Sequence, residues 1–407
     1  MGQLAFDRGF DALPFFLGRE DGVSLWSAFD YGLVTRQDGH VSTLYEERLA
    51  GLRFSRQFGR GRVLASVSQG SGGGHDDGSS SRGRVLENDL SLLGGYGLGR
   101  GFEIRAGLKA MDYDLRLDSD LLGTSLDALG PNPPIFSSET QVGIPVGVGW
   151  SSGRWGVDAT VEPIKGHGSI SAGDVGVLSI PIAPSGVRFD SSLALSFGRD
   201  RLRAWIGFEN ADNSGSPIAP GTQTATSEYS QSSRVVGVSE ERDWGRRGRL
   251  RLHYENASSH EGFTAFDPNA NGLDSGLPSG TTVNASGDLN FRRSEVGVDW
   301  RSAGDQWKVG YRQLWTPFSV RGMYAANISI VTLSQEGDIT YTKANLGALA
   351  AAYSTPLSRA RLTVGIQQIV PFLLERAPSA GSGTGVAGSS RSFGGTSLAL
   401  ELSIPLG

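Results

Sequence analysis

The chain has 407 residues, of which 38% are hydrophobic, with a net charge of −5, 59 glycines and no cysteine. No stretch approaches the roughly 20 continuous apolar residues of a membrane helix, which excludes a helical membrane protein. The absence of cysteine excludes a disulfide framework and a thiolate metal site, and the acidic balance excludes a general basic surface for nucleic acid.

The start, Met1-Gly2-Gln3-Leu4-Ala5-Phe6-Asp7, lacks the basic and apolar regions of a signal peptide. Residues 1–20 read as a periplasmic or lumenal segment, and 21–407 as one barrel domain. A first strand is expected near 23–34. After it the chain repeats one signal, apolar residues at every second position, which is the period of a strand. Phe102, Ile104, Ala106 and Leu108 alternate with Glu103, Arg105, Gly107 and Lys109. Val142, Ile144, Val146, Val148 and Trp150 come next. Beyond Ser151-Ser152-Gly153-Arg154 the pattern resumes at Trp155, Val157, Ala159 and Val161, against Gly156, Asp158, Thr160 and Glu162. Val187, Phe189, Leu193, Leu195 and Phe197 follow, then Leu202, Ala204, Ile206 and Phe208, then Leu250, Leu252 and Tyr254. Leu362, Val364 and Ile366 precede a closing strand at 396–406.

Tight turns are expected at Gly59-Arg60-Gly61, Gly97–Gly101, Gly153-Arg154, Gly198-Arg199-Asp200, Gly245–Gly248, Ala303-Gly304-Asp305 and Pro356-Leu357-Ser358. Longer segments rich in Gly, Ser, Asn, Asp and Pro alternate with them, at 68–84, 117–138, 166–186, 210–228, 256–287, 317–338 and 372–395, and read as loops. Short turns on one rim and long loops on the other describe an all-β, antiparallel transmembrane β-barrel of the bacterial outer membrane. The count is about sixteen strands, with fourteen as the alternative. Both chain ends and the short turns then face the periplasm, the long loops face outside, and the connection between Arg36 and His40 is external.

If the apolar set faces lipid, the alternate set lines the lumen: Arg53, Glu103, Arg105, Lys109, Asp158, Glu162, Arg188, Asp190, Arg203, Arg249, Arg251, His253, Glu295, Asp299, Arg361 and Glu401. Charges of both signs at this density need water or each other. Trp150 and Trp155 flank one tight turn, Trp300 and Trp307 flank another, and Trp244 sits in a third. These five read as the periplasmic aromatic girdle. Arg at Val146 or Leu400 is expected to block assembly, while the inward neighbours Gly147 and Ala399 are expected to tolerate it better. No serine-hydrolase elbow, zinc-protease motif or phosphate loop is present, so the chain is expected not to be an enzyme and to need no cofactor or structural metal. His253 as a catalytic base, and His75-Asp76-Asp77 or Asp118 and Asp120 as a loop cation site, are the minor alternatives.

Gln313-Leu314-Trp315-Thr316-Pro317-Phe318-Ser319-Val320-Arg321-Gly322 leads into Asn327-Ile328-Ser329-Ile330 and Glu336-Gly337-Asp338-Ile339-Thr340-Tyr341. Ala352-Tyr353-Ser354-Thr355-Pro356-Leu357 and Arg361-Leu362-Thr363-Val364-Gly365 follow. This order resembles the C-terminal region of subtilisin-type autotransporters of Alphaproteobacteria, over about a fifth of the chain. The resemblance implies a translocator or membrane anchor, with a passenger and its signal upstream of Met1, and a barrel of about twelve strands. A porin-like channel for small polar solutes is the alternative function. Expected partners are outer-membrane lipid and lipopolysaccharide, the barrel-assembly machinery and, under the resemblance, that passenger; nucleic acid is not among them.

Overall fold

The computed structural model describes residues 22–36, 41–76, 82–117, 135–172, 178–217, 226–267, 282–328, 331–376 and 390–405. In chain order the strands are β1 (Gly22–Arg36), β2 (Val41–Phe58), β3 (Gly61–Asp76), β4 (Arg82–Gly99), β5 (Phe102–Leu117), β6 (Ile135–Gly143), β7 (Val146–Ser152), β8 (Trp155–Ala172), β9 (Leu178–Ile182) and β10 (Ser185–Phe197). They continue as β11 (Asp200–Pro217), β12 (Thr226–Asp243), β13 (Arg249–Asp267), β14 (Thr282–Arg301), β15 (Trp307–Trp315), β16 (Phe318–Ile328), β17 (Val331–Leu357), β18 (Ala360–Arg376) and β19 (Ser390–Pro405). All pairings are antiparallel, and β1 pairs with both β2 and β19, so the sheet closes on itself.

Three of the wall's staves are each split in two by a proline, which has no N–H to give the ladder. Register is unbroken across each split. Gly143 of β6 lies opposite Ile164 and Val146 of β7 opposite Val161, both on β8. Ile182 and Ser185 continue one register on β8, and Trp315 and Phe318 one register on β14. The proline carbonyls still accept: Gly107 N donates to Pro145 O at 2.9 Å and Gly166 N to Pro184 O at 2.7 Å. Counting β6–β7, β9–β10 and β15–β16 as single staves, the nineteen segments make a closed barrel of sixteen strands.

The wall is inside out relative to a soluble core. Val148 is 57% exposed, and Leu25, Leu52, Leu90, Ile104, Val146, Leu193, Leu252, Val364 and Leu400 are also exposed, whereas Arg293 is 1% exposed. Apolar side chains turned outward around a closed sheet require lipid as their solvent. On β5 the outward set is Phe102, Ile104, Ala106, Leu108 and Ala110, and then it becomes Asp112, Asp114 and Arg116. The same change occurs from Ala50 to Arg48 on β2 and from Phe208 to Asn210 on β11. About nine residues at roughly 3.3 Å each, tilted by about 40°, span some 23 Å, the height of a barrel's apolar band. The chain is a transmembrane barrel of the bacterial outer membrane.

Seven tight connections lie at one end of the strands, together with the start of β1 and the end of β19. One of them holds a single 3-10 turn, Gly245–Arg247. At Gly153 φ is +54° and a Cβ would meet nothing, so the residue is glycine for its left-handed backbone alone.

The opposite end corrects the expected loops. Strand β3 runs to Asp76 and β4 begins at Arg82; β13 runs to Asp267 and β14 begins at Thr282; and 317–338 is mostly β16 and β17. Between the strands that meet at this end, residues 37–40, 77–81, 118–134, 173–177, 218–225, 268–281, 329–330 and 377–389 lie outside the described residues. Above the apolar band a strand has water on both faces, so its sequence is polar throughout and reads like a loop. The segment 1–20 and the acids Asp77, Asp118 and Asp120 lie outside the described residues.

Candidate functional site: the barrel lumen

Residues of odd number on β2, β5, β11, β13, β14, β18 and β19, and of even number on β8 and β10, share the face opposite the apolar band. That face carries Arg53 on β2, Glu103, Arg105 and Lys109 on β5, Asp158 and Glu162 on β8, Arg188 and Asp190 on β10, and Arg203 on β11. It also carries Arg249, Arg251 and His253 on β13, Glu295 and Asp299 on β14, Arg361 on β18 and Glu401 on β19.

The structure gathers some of these and separates others. Arg105 pairs with Asp158 across β7. Lys109 Nζ lies 2.9 Å from Glu162 Oε2, and Arg188 lies 3.4 Å from the same oxygen and 2.9 Å from Glu209 Oε2. His253 Nε2 is 2.9 Å from Glu295 Oε1, and its Nδ1 is 3.8 Å from Asp299 Oδ2. By contrast, Arg361 donates to Gly304 O at 2.9 Å beside a turn, Arg203 to Ser192 Oγ at 3.4 Å, and Arg249 stands 4.0 Å from Glu241. Glu103 lies over Gly95, and Glu401 is buried. Arg251 stands opposite Asp299 in the ladder, Asp190 opposite Thr160 and Arg53 opposite Ser66.

Sequence reading missed the groups that complete this network. Glu209 accepts from Gln231 Nε2 at 3.1 Å, while the Tyr229 hydroxyl donates to Gln231 Oε1 at 3.2 Å and lies 3.0 Å from Glu261 Oε1. Arg293 pairs with Glu255, which also accepts from Trp205 Nε1 at 3.0 Å. On β12 these residues sit above the band, where Ser230, Ser232 and Arg234 make the outward face polar too. The signal that finds them is the phase of Val236 and Val238 on the outward side, carried upward two residues at a time.

Glycines on intervening strands let side chains two strands apart meet. Trp205 reaches Glu255 by lying across Gly237, where a Cβ would be 2.2 Å from the indole. On the adjoining strand, Gly297 makes room for the His253 ring between Glu295 and Asp299, with a Cβ there 2.0 Å from the ring. Lys109 meets Glu162 beside Gly143, where a Cβ would stand 2.1 Å from the carboxylate oxygen. Wall glycine is thus spent on close approach as well as on turns.

The lumen has two sectors. Next to the Lys109–Glu162–Arg188 cluster is a recess of about 260 Å³ whose lining includes Ser66, Ser68, Asp89, Ser91, Lys109 and Gln141. Around the closure, Ala28, Ala352 and Ala399 are buried together, with Trp26, Leu49 and Ala350 packed against them. Among the described residues no group of three or more His, Cys, Asp or Glu could hold a metal ion.

The five tryptophans stand at the turn end. Trp155, Trp244 and Trp307 are exposed, Trp307 lies 4.6 Å from the Tyr353 ring, and Trp150 lies 6.2 Å from Phe102. Trp300 Nε1 donates to Arg247 O at 3.1 Å, which ties a rim ring to its own turn.

No family model and no curated protein matches the chain. Among solved structures it is similar to a mutant of the TodX monoaromatic hydrocarbon channel, at 12% identity and a TM-score of 0.44, over 95% of this chain and 91% of that one. The Ralstonia pickettii toluene transporter TbuX is similar at 12% identity and a TM-score of 0.41, over 95% and 90%. A Pseudomonas aeruginosa FadL homologue is similar at 9% identity and a TM-score of 0.42, over 95% and 90%. The architecture described above stands on the chain's own strand pairing, and these likenesses do not extend it to a cargo.

Proposed function

We propose that the barrel is a channel for small polar solutes. The observation that carries this reading is the lumen wall itself, where carboxylates, guanidinium groups and amides from β4 to β15 face inward around a recess lined by hydroxyl and charged groups. Such a wall suits hydrated cargo, since each group offers a hydrogen bond to replace one from water. The test is the conductance of purified protein in a planar bilayer. Discrete current steps support the reading, and a barrel that stays sealed at every voltage contradicts it.

The translocator reading rests on the resemblance over β15 to β18, and sixteen strands against about twelve weigh against it. The same proposal makes the chain a non-enzyme. His253 is held between two carboxylates, an arrangement suited to a wall residue, so His253→Ala should alter conductance without removing any turnover.

A further inference from the structure

The inward charges are sorted by height. Within about six residues of the tight turns, some 15 Å at a strand's tilted rise, the lumen face carries Arg62, Arg105, Arg201, Arg203, Arg249 and Arg361 among others, and bases outnumber acids among the described residues. Glu103, Asp158, Glu241, Asp243, Asp299 and Glu401 are the acids at that level. Beyond about eight residues the balance reverses. Glu87, Asp89, Glu139, Glu209 and Glu261 represent an acidic majority, opposed by Lys109, Arg188 and Arg293. Glu255 and Glu295, seven residues from their turns, stand at the boundary.

The two rims carry the same division. Six of the seven tight turns hold an arginine: Arg60, Arg100, Arg154, Arg199, Arg246 and Arg359. The sequences between the strand ends opposite those turns, from 37–40 through 377–389, contain no lysine or arginine, and their ionised residues are all aspartate.

Resting on the channel reading, we propose that the lumen is a bipolar pore. It rectifies ionic current and takes small zwitterions, which cross it with the cationic group toward the outer mouth and the anionic group toward the periplasm. A low-dielectric wall focuses the field of its fixed charges into the lumen. At about 0.1 M salt the screening length is about 10 Å, comparable with the pore itself, so the outer half gathers cations and the inner half anions. A voltage positive on the outer side drives both ions into the middle, and conductance rises. The opposite voltage draws both out, and conductance falls.

The experiment is current against voltage for the purified barrel inserted in one orientation, in about 0.1 M and about 1 M KCl. The inference predicts a larger current with the outer side positive, by about twofold or more in dilute salt, and a smaller ratio in concentrated salt. The combined variant Arg201→Gln, Arg203→Gln, Arg249→Gln should bring the ratio toward unity. Equal currents at both polarities, or a ratio that the variant leaves unchanged, overturn the inference while leaving the channel reading intact. No current at either polarity overturns the channel reading instead. Liposome swelling tests the solute class, with diglycine compared with erythritol as an uncharged probe. The diglycine-to-erythritol rate ratio should fall in the variant, and an unchanged ratio removes the zwitterion from the account.

Discussion

Gly237 shows how closely single residues of this wall are fitted. Its missing side chain is the space that the Trp205 indole occupies on the way to Glu255. Gly237→Ala should displace the ring and lower stability by about 1–3 kcal/mol, the usual result of overpacking. A lower urea midpoint for the barrel in detergent, with an altered tryptophan emission spectrum, is the expected result. Gly94→Ala, where a Cβ would meet only Ala106 O at 3.8 Å, should leave both unchanged. Arg188 is a second such position. Arg188→Ala would leave Glu162 and Glu209 facing each other in a buried site, at a cost of about 3–5 kcal/mol. Adding Glu209→Gln should restore part of that loss in the same unfolding measurement. Neither effect was legible in the sequence. Trp205 sits beside Ile206 in an unremarkable alternation, and its partner is contributed by a strand about fifty residues further on.

At the scale of the strand, the alternation was readable wherever lipid touches one face. Phe102 to Ala110 and Trp155 to Val161 gave the phase, and the turns between such runs gave the count. Above the band the second solvent is water, and Ser68 to Asp76 or Ser258 to Asp267 lose the contrast that marks a strand. That is why segments read as loops are strands in the structure. The band's upper edge is testable on one stave. Val146→Arg places a charge on the lipid face and should cost about 2–4 kcal/mol at the bilayer's middle, seen as failed membrane assembly. Ser138→Arg, outward on the same stave but above the band, should assemble normally. The inward positions Gly147 and Ala399 are poorer controls than their direction alone implies. A Cβ at Gly147 would stand 2.7 Å from Thr160 Oγ1, and Ala399 is buried against Ala28 and Ala352.

For the whole molecule, the even strand count puts both ends of the sheet and all seven tight turns on one rim, read as periplasmic. A single cysteine at Arg199 should then react with a membrane-impermeant maleimide only after the outer membrane is permeabilised. Labelling in intact cells would invert the barrel. The chain has no native cysteine, which also opens the most direct test of the central claim, a lipid-facing band closed around a watery, charged lumen. Single cysteines placed in turn from Gly156 to His167 on β8, in reconstituted vesicles, would be scored for reaction with a water-soluble maleimide. The account predicts reaction at Gly156, Asp158 and Thr160, protection at Val157, Ala159 and Val161, and reaction on both faces from Lys165 upward. Protection of the even positions, reaction of the odd ones, or no period of two below Lys165 would contradict it.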